Sequence, residues 1–145
     1  MNVEPILAPE SIDLIALAPV IVLSVFAMMV LVVDLFGGRN KTLLVFISLV
    51  GLLMTAISAF AKNPIPAYSF NDSYIVDHLS LFFICIFTIS SALAILLSVE
   101  YNEREGIRAG EYYALILFCT VGMILLASST DMIMIFLGIE LVSIC

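Results

Sequence analysis

Long apolar runs separated by short polar segments are the main pattern of this sequence. Five runs are present, at residues 14–36, 42–61, 79–99, 112–127 and 131–145. A transmembrane helix needs about 20 predominantly apolar residues, and the first four runs are close to that length. The pattern therefore predicts an all-α fold, a polytopic transmembrane helix bundle that forms one membrane domain over residues 1–145.

The fifth apolar run is too short to cross a membrane. A helix from Asp131 to Cys145 would be about 22 Å long, whereas the hydrocarbon core of a bilayer is roughly 30 Å thick. No proline or basic cluster marks an exit from the membrane. We therefore expect an incomplete last helix and interpret the chain as the N-terminal fragment of a longer membrane protein. A complete small protein with a re-entrant last helix is the alternative.

Prolines and aromatic residues predict local features of the runs and loops. Pro19 falls early in the first run and would kink a helix there unless neighbouring groups satisfy the freed carbonyl. The longest polar segment, residues 62–77, contains Pro64 and Pro66, which disfavour a regular helix. Aromatic residues of this segment are expected at the depth of a membrane interface: Tyr68, Phe70 and Tyr74.

The positions of the basic residues predict the orientation in the membrane. Lysine and arginine favour cytoplasmic loops, and they occur mainly in the first and third loops, as Arg39, Lys41, Arg104 and Arg108. The N-terminal segment has no basic residue, and the second loop has only Lys62. We therefore expect the N-terminus outside and the fifth helix entering from the outer side.

Composition supports the membrane class and excludes other functions. Hydrophobic residues make up 63% of the chain and charged residues 12%, against roughly 45–50% and about 25% in soluble domains. The net charge of −7 and the absence of a basic patch or P-loop argue against nucleic-acid or nucleotide binding. The cysteines lie in apolar runs without a CxxC pair and are interpreted as small hydrophobic side chains: Cys85, Cys119 and Cys145.

Glu140 is the candidate functional residue. It lies nine residues after Asp131, about 14 Å along a helix and therefore near the middle of a bilayer. A charge at that depth is costly and usually marks a functional site. A titrating site in a proton or ion path is one interpretation, and a protonated carboxyl packed between helices is the other. No lysine or arginine of this chain is expected to reach Glu140.

Simpler explanations suffice for the other polar residues. Asp131 is expected to cap the fifth helix, where the helix dipole favours an acid. Asp34, His78 and Glu100 lie near membrane edges, where headgroup water can solvate them. The small and hydroxyl residues inside the runs are expected to pack helices closely or to bond to their own helix carbonyls: Ser48, Ser90, Ser91, Thr120, Gly51 and Gly122.

Two segments carry a resemblance to a known family. Residues 110–145, GEYYALILFCTVGMILLASSTDMIMIFLGIELVSIC, closely resemble the fourth and fifth transmembrane helices of the antiporter-like subunits in the membrane arm of bacterial-type NADH:quinone oxidoreductase (complex I). Within that group, EYYAL (111–115) and GIELVS (138–143) are most similar to subunit N. Residues 75–83, IVDHLSLFF, resemble the start of the third helix. The resemblance spans the chain but is weak before Asp77.

The resemblance implies a function in proton transport. The chain would contain the N-terminal five helices of an antiporter-like subunit of a translocase in the cell inner membrane. That subunit couples quinone reduction to proton transfer, and Glu140 corresponds to the family's functional glutamate. Its partners would be other membrane-arm subunits and the lipid bilayer. Quinone, NADH, FMN and iron–sulfur clusters are expected elsewhere in the complex, and no cofactor or metal is expected in this chain.

Further implications and two alternatives accompany this prediction. The family's lysines that pair with the glutamate lie on later helices, so the fragment alone is not expected to be active. One alternative is a subunit of an Mrp-type cation/proton antiporter, which shares ancestry with these subunits. The other is a truncated, non-catalytic membrane scaffold or assembly module.

Overall fold

Five helices and one short β ribbon make up the described part of the chain in a computed structural model. The structure describes residues 16–36, 41–60, 67–69, 74–105 and 109–145. The elements, in chain order, are α1 (Ala18–Phe36), α2 (Lys41–Phe60), β1 (Ala67–Ser69), β2 (Tyr74–Val76), α3 (His78–Glu105), α4 (Ala109–Ser128) and α5 (Met132–Ile144).

The helices form a bundle, as the all-α prediction required. Helices α1 to α4 are each long and apolar enough to cross a membrane, whereas α5 has 13 residues and is only about 20 Å long. Helix α4 is central because it contacts α1, α2, α3 and α5. Most of the outward-facing side chains are large and apolar, which is the surface expected of a protein surrounded by lipid.

The observed helices differ from the predicted spans mainly at their ends. Helix α3 continues to Glu105, six residues beyond the predicted run, and α4 begins at Ala109, three residues before its run. Residues 14, 15 and 61 of the predicted spans lie outside the described residues. The extensions contain charged residues, which a hydropathy pattern excludes although they are compatible with a helix that leaves the membrane.

Pro19 lies at the start of a helix and not within one, so the condition for a kink does not arise. Helix α1 begins at Ala18, so Pro19 lies in its first turn. The backbone N–H groups of the first turn have no partner within a helix, and the missing N–H of a proline costs little there. The start of α1 is therefore compatible with Pro19.

A two-stranded ribbon covers one end of the bundle, which we call the ribbon end. Strands β1 and β2 pair antiparallel, with Ala67 opposite Val76 and Ser69 opposite Tyr74. A β-bridge joins Tyr74 to Ser129, just after α4. The sequence did not predict this ribbon. The side chain of Tyr74 is fully buried in the protein, and burial raises its pKa. The side chains of Tyr68 and Phe70 lie outside the described residues.

Asp77 and Ser80 connect the start of α3 to the end of α4 at the ribbon end. The backbone N–H of Ser80 donates to Asp77 Oδ1 at 2.7 Å, so Asp77 caps the start of α3. The Ser80 hydroxyl lies 2.7 Å from the same carboxylate oxygen and 3.0 Å from the carbonyl of Ala127 in the last turn of α4. The donors on Ser80 lower the pKa of Asp77. This N-cap, together with the bond from Ser80 to Ala127, fixes α3 against the end of α4.

Small and hydroxyl residues pack the bundle interior as predicted, except Ser90, which is exposed on α3. A Cβ added at Gly51 would lie 2.7 Å from Phe26 Cβ, so α1 and α2 contact each other at this glycine. Buried hydroxyl groups donate to their own helix, as Ser48 does to the carbonyl of Leu44 at 2.8 Å. Ser91 and Thr120 also bond to each other at 2.5 Å, between α3 and α4. The interior polar groups are uncharged and mostly paired.

The opposite end of the bundle, which we call the Asn102 end, contains a different polar group. Lys41 Nζ donates to the backbone carbonyl of Asn102 at 3.4 Å and joins α2 to α3. The side chain of Asn102 is fully buried, and neither its amide nitrogen nor its oxygen has a hydrogen-bond partner among the described residues. Asp34 packs so closely against Gly110 that a Cβ there would overlap it.

Candidate functional site on helix α5

Helix α5 starts at a sharp change of backbone direction after α4. Asp131 is the N-cap residue, with φ −98° and ψ 142°, and its carbonyl accepts the N–H of Ile135 at 3.0 Å. Its side chain makes no capping hydrogen bond, so the predicted position is correct but the predicted cap is made by the backbone alone. This start places Glu140 about 14 Å along the helix axis.

One face of α5 packs against α4 through glycines on both helices. A Cβ at Gly122 would lie 2.8 Å from Val142 Cγ2 and 3.1 Å from the carbonyl oxygen of Gly138. A Cβ at Gly138 would lie 2.8 Å from Leu126 Cγ and 3.2 Å from the carbonyl oxygen of Gly122. The predicted packing role of Gly122 is therefore confirmed, and neither position has room for a side chain. Close approach of this kind is the usual function of small residues between membrane helices.

Glu140 lies on the opposite face of α5. It is two residues beyond Gly138, and at 3.6 residues per turn this corresponds to a rotation of about 200°. Its side chain is exposed. Exposed apolar side chains share this face: Ile133, Phe136, Leu137 and Ile144. Ser143 is exposed there as well, so Glu140 is the one carboxylate on a mainly apolar helix face that points away from the bundle.

The described helices leave Glu140 exposed, and its burial in the complete protein stays a prediction. Glu140 is exposed because α5 makes extensive contact with α4 alone, so its far face has no cover among the described residues. A charged carboxylate facing hydrocarbon costs roughly 2.5–3.5 kcal/mol or more. A charged Glu140 is therefore less stable against lipid than against polypeptide or water.

No cation pairs with Glu140 among the described side chains. Lys41 is the one described lysine or arginine side chain, and its ammonium bonds to Asn102 at the Asn102 end. For Lys41, this position agrees with the expectation that it does not reach Glu140. Arg39, Lys62, Arg104 and Arg108 lie outside the described side chains.

The remaining candidates are separate from Glu140. Asp34 is partly buried against Gly110, His78 is exposed at the start of α3, and Glu100 is exposed near the end of α3. Asp34 belongs to α1, and His78 and Glu100 belong to α3. Sequence reasoning missed the cap at Asp77, although an acidic residue three positions before Ser80 at the start of an apolar run is a recognisable N-cap signal.

Nothing in the described part resembles a cofactor site. No group of three or more histidine, cysteine or acidic side chains converges among the described residues. A groove of about 780 Å³ lies between α2 and α3, with Thr88 as its one polar lining residue. The Thr88 hydroxyl already donates to the carbonyl of Ile84 at 2.8 Å. The groove is therefore apolar, and its one polar side chain already has a hydrogen-bond partner.

Comparison with known proteins identifies close relatives. A protein of Trichlorobacter lovleyi named NADH-quinone oxidoreductase subunit N is 40% identical over 136 residues, which cover 93% of this chain and 28% of that protein. A protein of Koribacter versatilis named NADH-quinone oxidoreductase subunit N 2 is 38% identical, over 94% of this chain and 30% of its own length. A subunit N of Chlorobium chlorochromatii is 42% identical over 129 residues, which cover 86% and 25% of the two chains.

These relatives extend the resemblance seen in EYYAL and GIELVS to most of the chain. No family model matches it. The chain spans about 28% of the length of the Trichlorobacter lovleyi protein. Because identities of 38–42% over at least 86% of the sequence accompany a helical membrane fold, this chain belongs to the subunit N family of NADH-quinone oxidoreductase.

Proposed function

We propose that this chain is part of a proton-translocating membrane-arm subunit of NADH:quinone oxidoreductase, and that Glu140 takes up and releases the transported proton. One observation carries the proposal: Glu140 is the one carboxylate on its face of α5, about 14 Å along the helix, and the other exposed side chains of that face are apolar except for Ser143. A carboxylate at that depth is expensive, and a site that changes protonation state is a common reason for it.

Two opposing effects make such a carboxyl suitable for proton transfer. Removal from water disfavours the charged carboxylate, and a nearby cation favours it again. A group under both influences changes its protonation state when the cation moves or is neutralised. In this proposal, quinone reduction elsewhere in the complex drives such a change.

The cation would come from polypeptide outside this chain. Lys41 is engaged at the Asn102 end, and the open face of α5 has no helix against it among the described residues. The relatives are more than three times as long as the matched segment, so the rest of such a protein, or another membrane-arm subunit, can cover α5. The isolated segment would then lack a complete proton route.

Glu140→Gln in the full-length subunit within the assembled complex tests this function. Glutamine keeps the size and hydrogen-bonding capacity of the side chain but cannot exchange a proton, so proton pumping coupled to quinone reduction should fall. Glu140→Asp should retain more pumping, and Asp131→Asn, at the start of the same helix, should pump normally. Normal pumping by an assembled Glu140→Gln complex would remove Glu140 from the proton route.

We also propose that the protein lies in the cell inner membrane with its N-terminus on the outer side. Lys41, on the Asn102 end, supports a cytoplasmic location for that end. Cysteines introduced at the two exposed ends of α3 test the orientation: His78→Cys should react with an impermeant thiol reagent from outside, and Tyr101→Cys from the cytoplasm. The reverse pattern would contradict the proposed orientation.

A further inference from the structure

Two of the native cysteines lie opposite each other where α4 and α5 pack together. The two helices are antiparallel, and Gly122 of α4 contacts Val142 of α5. Three residues further toward the Asn102 end, α4 carries Cys119 and α5 carries Cys145. The register that pairs Gly122 with Val142 therefore also pairs Cys119 with Cys145, although they are far apart in the sequence.

The helical repeat places both cysteines on the contacting surfaces. Leu126 and Gly138 form the other close contact between the helices. Cys119 is seven residues before Leu126, and Cys145 is seven residues after Gly138, so each cysteine lies within about 20° of its contact residue around the helix. The N–H of Cys145 donates to the carbonyl of Leu141 at 3.3 Å, which continues the helical geometry through Cys145.

The two thiols also have suitable surroundings. Cys119 is partly buried and Cys145 is exposed, and neither is in a disulfide. A disulfide requires Cα atoms about 4.4–6.8 Å apart, and the close approach of the two backbones at Gly122 and Gly138 is the kind of packing that allows it.

We propose that Cys119 and Cys145 form a dithiol site that a lipid-phase organic hydroperoxide oxidises to a disulfide joining α4 to α5. In the first step one sulfur attacks the hydroperoxide, the O–O bond breaks, and a sulfenic acid and an alcohol form. In the second step the other sulfur attacks the sulfenic acid, an S–S bond forms, and water leaves. Two thiols and one hydroperoxide thus give one disulfide, one alcohol and one water.

The disulfide would restrain the helix that carries Glu140. Because α5 makes extensive contact with α4 alone among the described residues, a covalent bond between these two helices fixes the position of α5 relative to the bundle. The site does not depend on proton transfer at Glu140, so its test is independent of the proposed function.

Mass spectrometry of the oxidised full-length protein tests the dithiol site. Membranes containing the full-length subunit are treated with cumene hydroperoxide, digested without reductant and analysed for a peptide that links residues 119 and 145. The linked peptide should form in the native protein and in Cys85→Ser, should be absent in Cys119→Ser and Cys145→Ser, and should disappear after reduction. Cys85, on α3, is the matched control because it is also a partly buried cysteine of the bundle.

A second measurement does not depend on oxidation. Dibromobimane fluoresces strongly only when it bridges two neighbouring thiols, so it should label native protein and Cys85→Ser much more strongly than either Cys119→Ser or Cys145→Ser. Assembled protein that forms neither the linked peptide nor the fluorescent bridge would overturn the proposal. Equal yields from pairs that include Cys85 would overturn it as well.

Discussion

Helices α4 and α5 are neighbours in sequence and space, but their surroundings are opposite. Helix α4 is enclosed by α1, α2, α3 and α5, and side chains such as Tyr113, Leu117 and Ile124 are almost fully buried. In α5, Gly138 is the one buried residue. Helix α4 is the most buried of the four long helices. Helix α5 packs one face against α4 and leaves its other face open among the described residues.

The polar residues of the two helices differ in the same way. Thr120 of α4 is uncharged, and its hydroxyl is bonded to Ser91 and to its own helix. Glu140 of α5 is ionisable and lies on the open face. Buried hydroxyl groups that bond locally need no further partner, whereas a carboxylate in a membrane does. Helices α1 to α4 therefore form a scaffold, and α5 carries the ionisable Glu140 on its open face.

The largest effect on stability and pumping should come from Gly138→Leu, which acts on the contact between α4 and α5. A side chain at this position overlaps Leu126 and the backbone of α4, so α5 must move away from its one extensive contact. Overpacking of this kind costs about 1–3 kcal/mol. Thermal unfolding of the purified full-length protein should therefore occur at a lower temperature, and proton pumping should be lost with the position of α5.

Ala94→Leu is the matched control for Gly138→Leu. Ala94 is exposed on α3, so the same added bulk should leave thermal unfolding and pumping unchanged. Equal destabilisation by both substitutions would mean that the contact between α4 and α5 is not what positions α5.

A smaller effect is expected from Asp77→Ala, which acts on the scaffold and not on Glu140. Loss of an N-cap side chain costs about 1 kcal/mol. Because hydrogen bonds from Ser80 lower the pKa of Asp77, its stabilising contribution is present above the ordinary carboxyl pKa, about 3.9. That contribution is lost as the pH falls through the lower, folded-state pKa.

Thermal unfolding measured against pH checks the prediction for Asp77. The native protein and Asp77→Ala should differ at neutral pH and converge in acid, while the pH dependence of pumping should be the same in both. A difference that persists at a pH well below the folded-state pKa would show that the Asp77 carboxylate is not the source of the stabilisation.

The smallest effect is expected from Asn102→Leu, which should not lower the free energy of unfolding as the other substitutions do. The buried amide of Asn102 has no hydrogen-bond partner among the described residues, so removing it relieves a desolvation penalty of about 1–3 kcal/mol. The change in shape offsets part of this gain, and the free energy of unfolding should be unchanged or slightly higher. Marked destabilisation would indicate that Asn102 has a polar partner in the membrane protein, and Asn102→Ser would then be less harmful than Asn102→Leu.

The helices were predictable from the sequence because hydropathy determines which segments can enter lipid. The packing role of Gly122 was also predictable, since a glycine inside an apolar run has few other functions. The β ribbon was not predicted, because two strands of three residues have no detectable alternation. The burial of Tyr74 depends on the contact between that ribbon and α4, which sequence reasoning does not provide.

The candidate site was predicted only in part. The chemical type and depth of Glu140 follow from its position in an apolar run. Its direction does not, because an apolar helix gives no periodic signal of which face is packed. Contacts of Gly138 with α4 determine that Glu140 faces away from the bundle. The proposed pairing of Cys119 with Cys145 follows from the same contacts, which the sequence does not reveal.

If Glu140 carries the transported proton, its protonation state changes during turnover. Infrared difference spectroscopy of the assembled complex, with NADH and quinone supplied, detects this change because the C=O band of a protonated carboxyl is distinct from the bands of a carboxylate. We expect a carboxyl band that changes during turnover in the native complex and is missing in Glu140→Gln. An unchanged difference spectrum in an assembled Glu140→Gln complex would contradict the proposed role of Glu140.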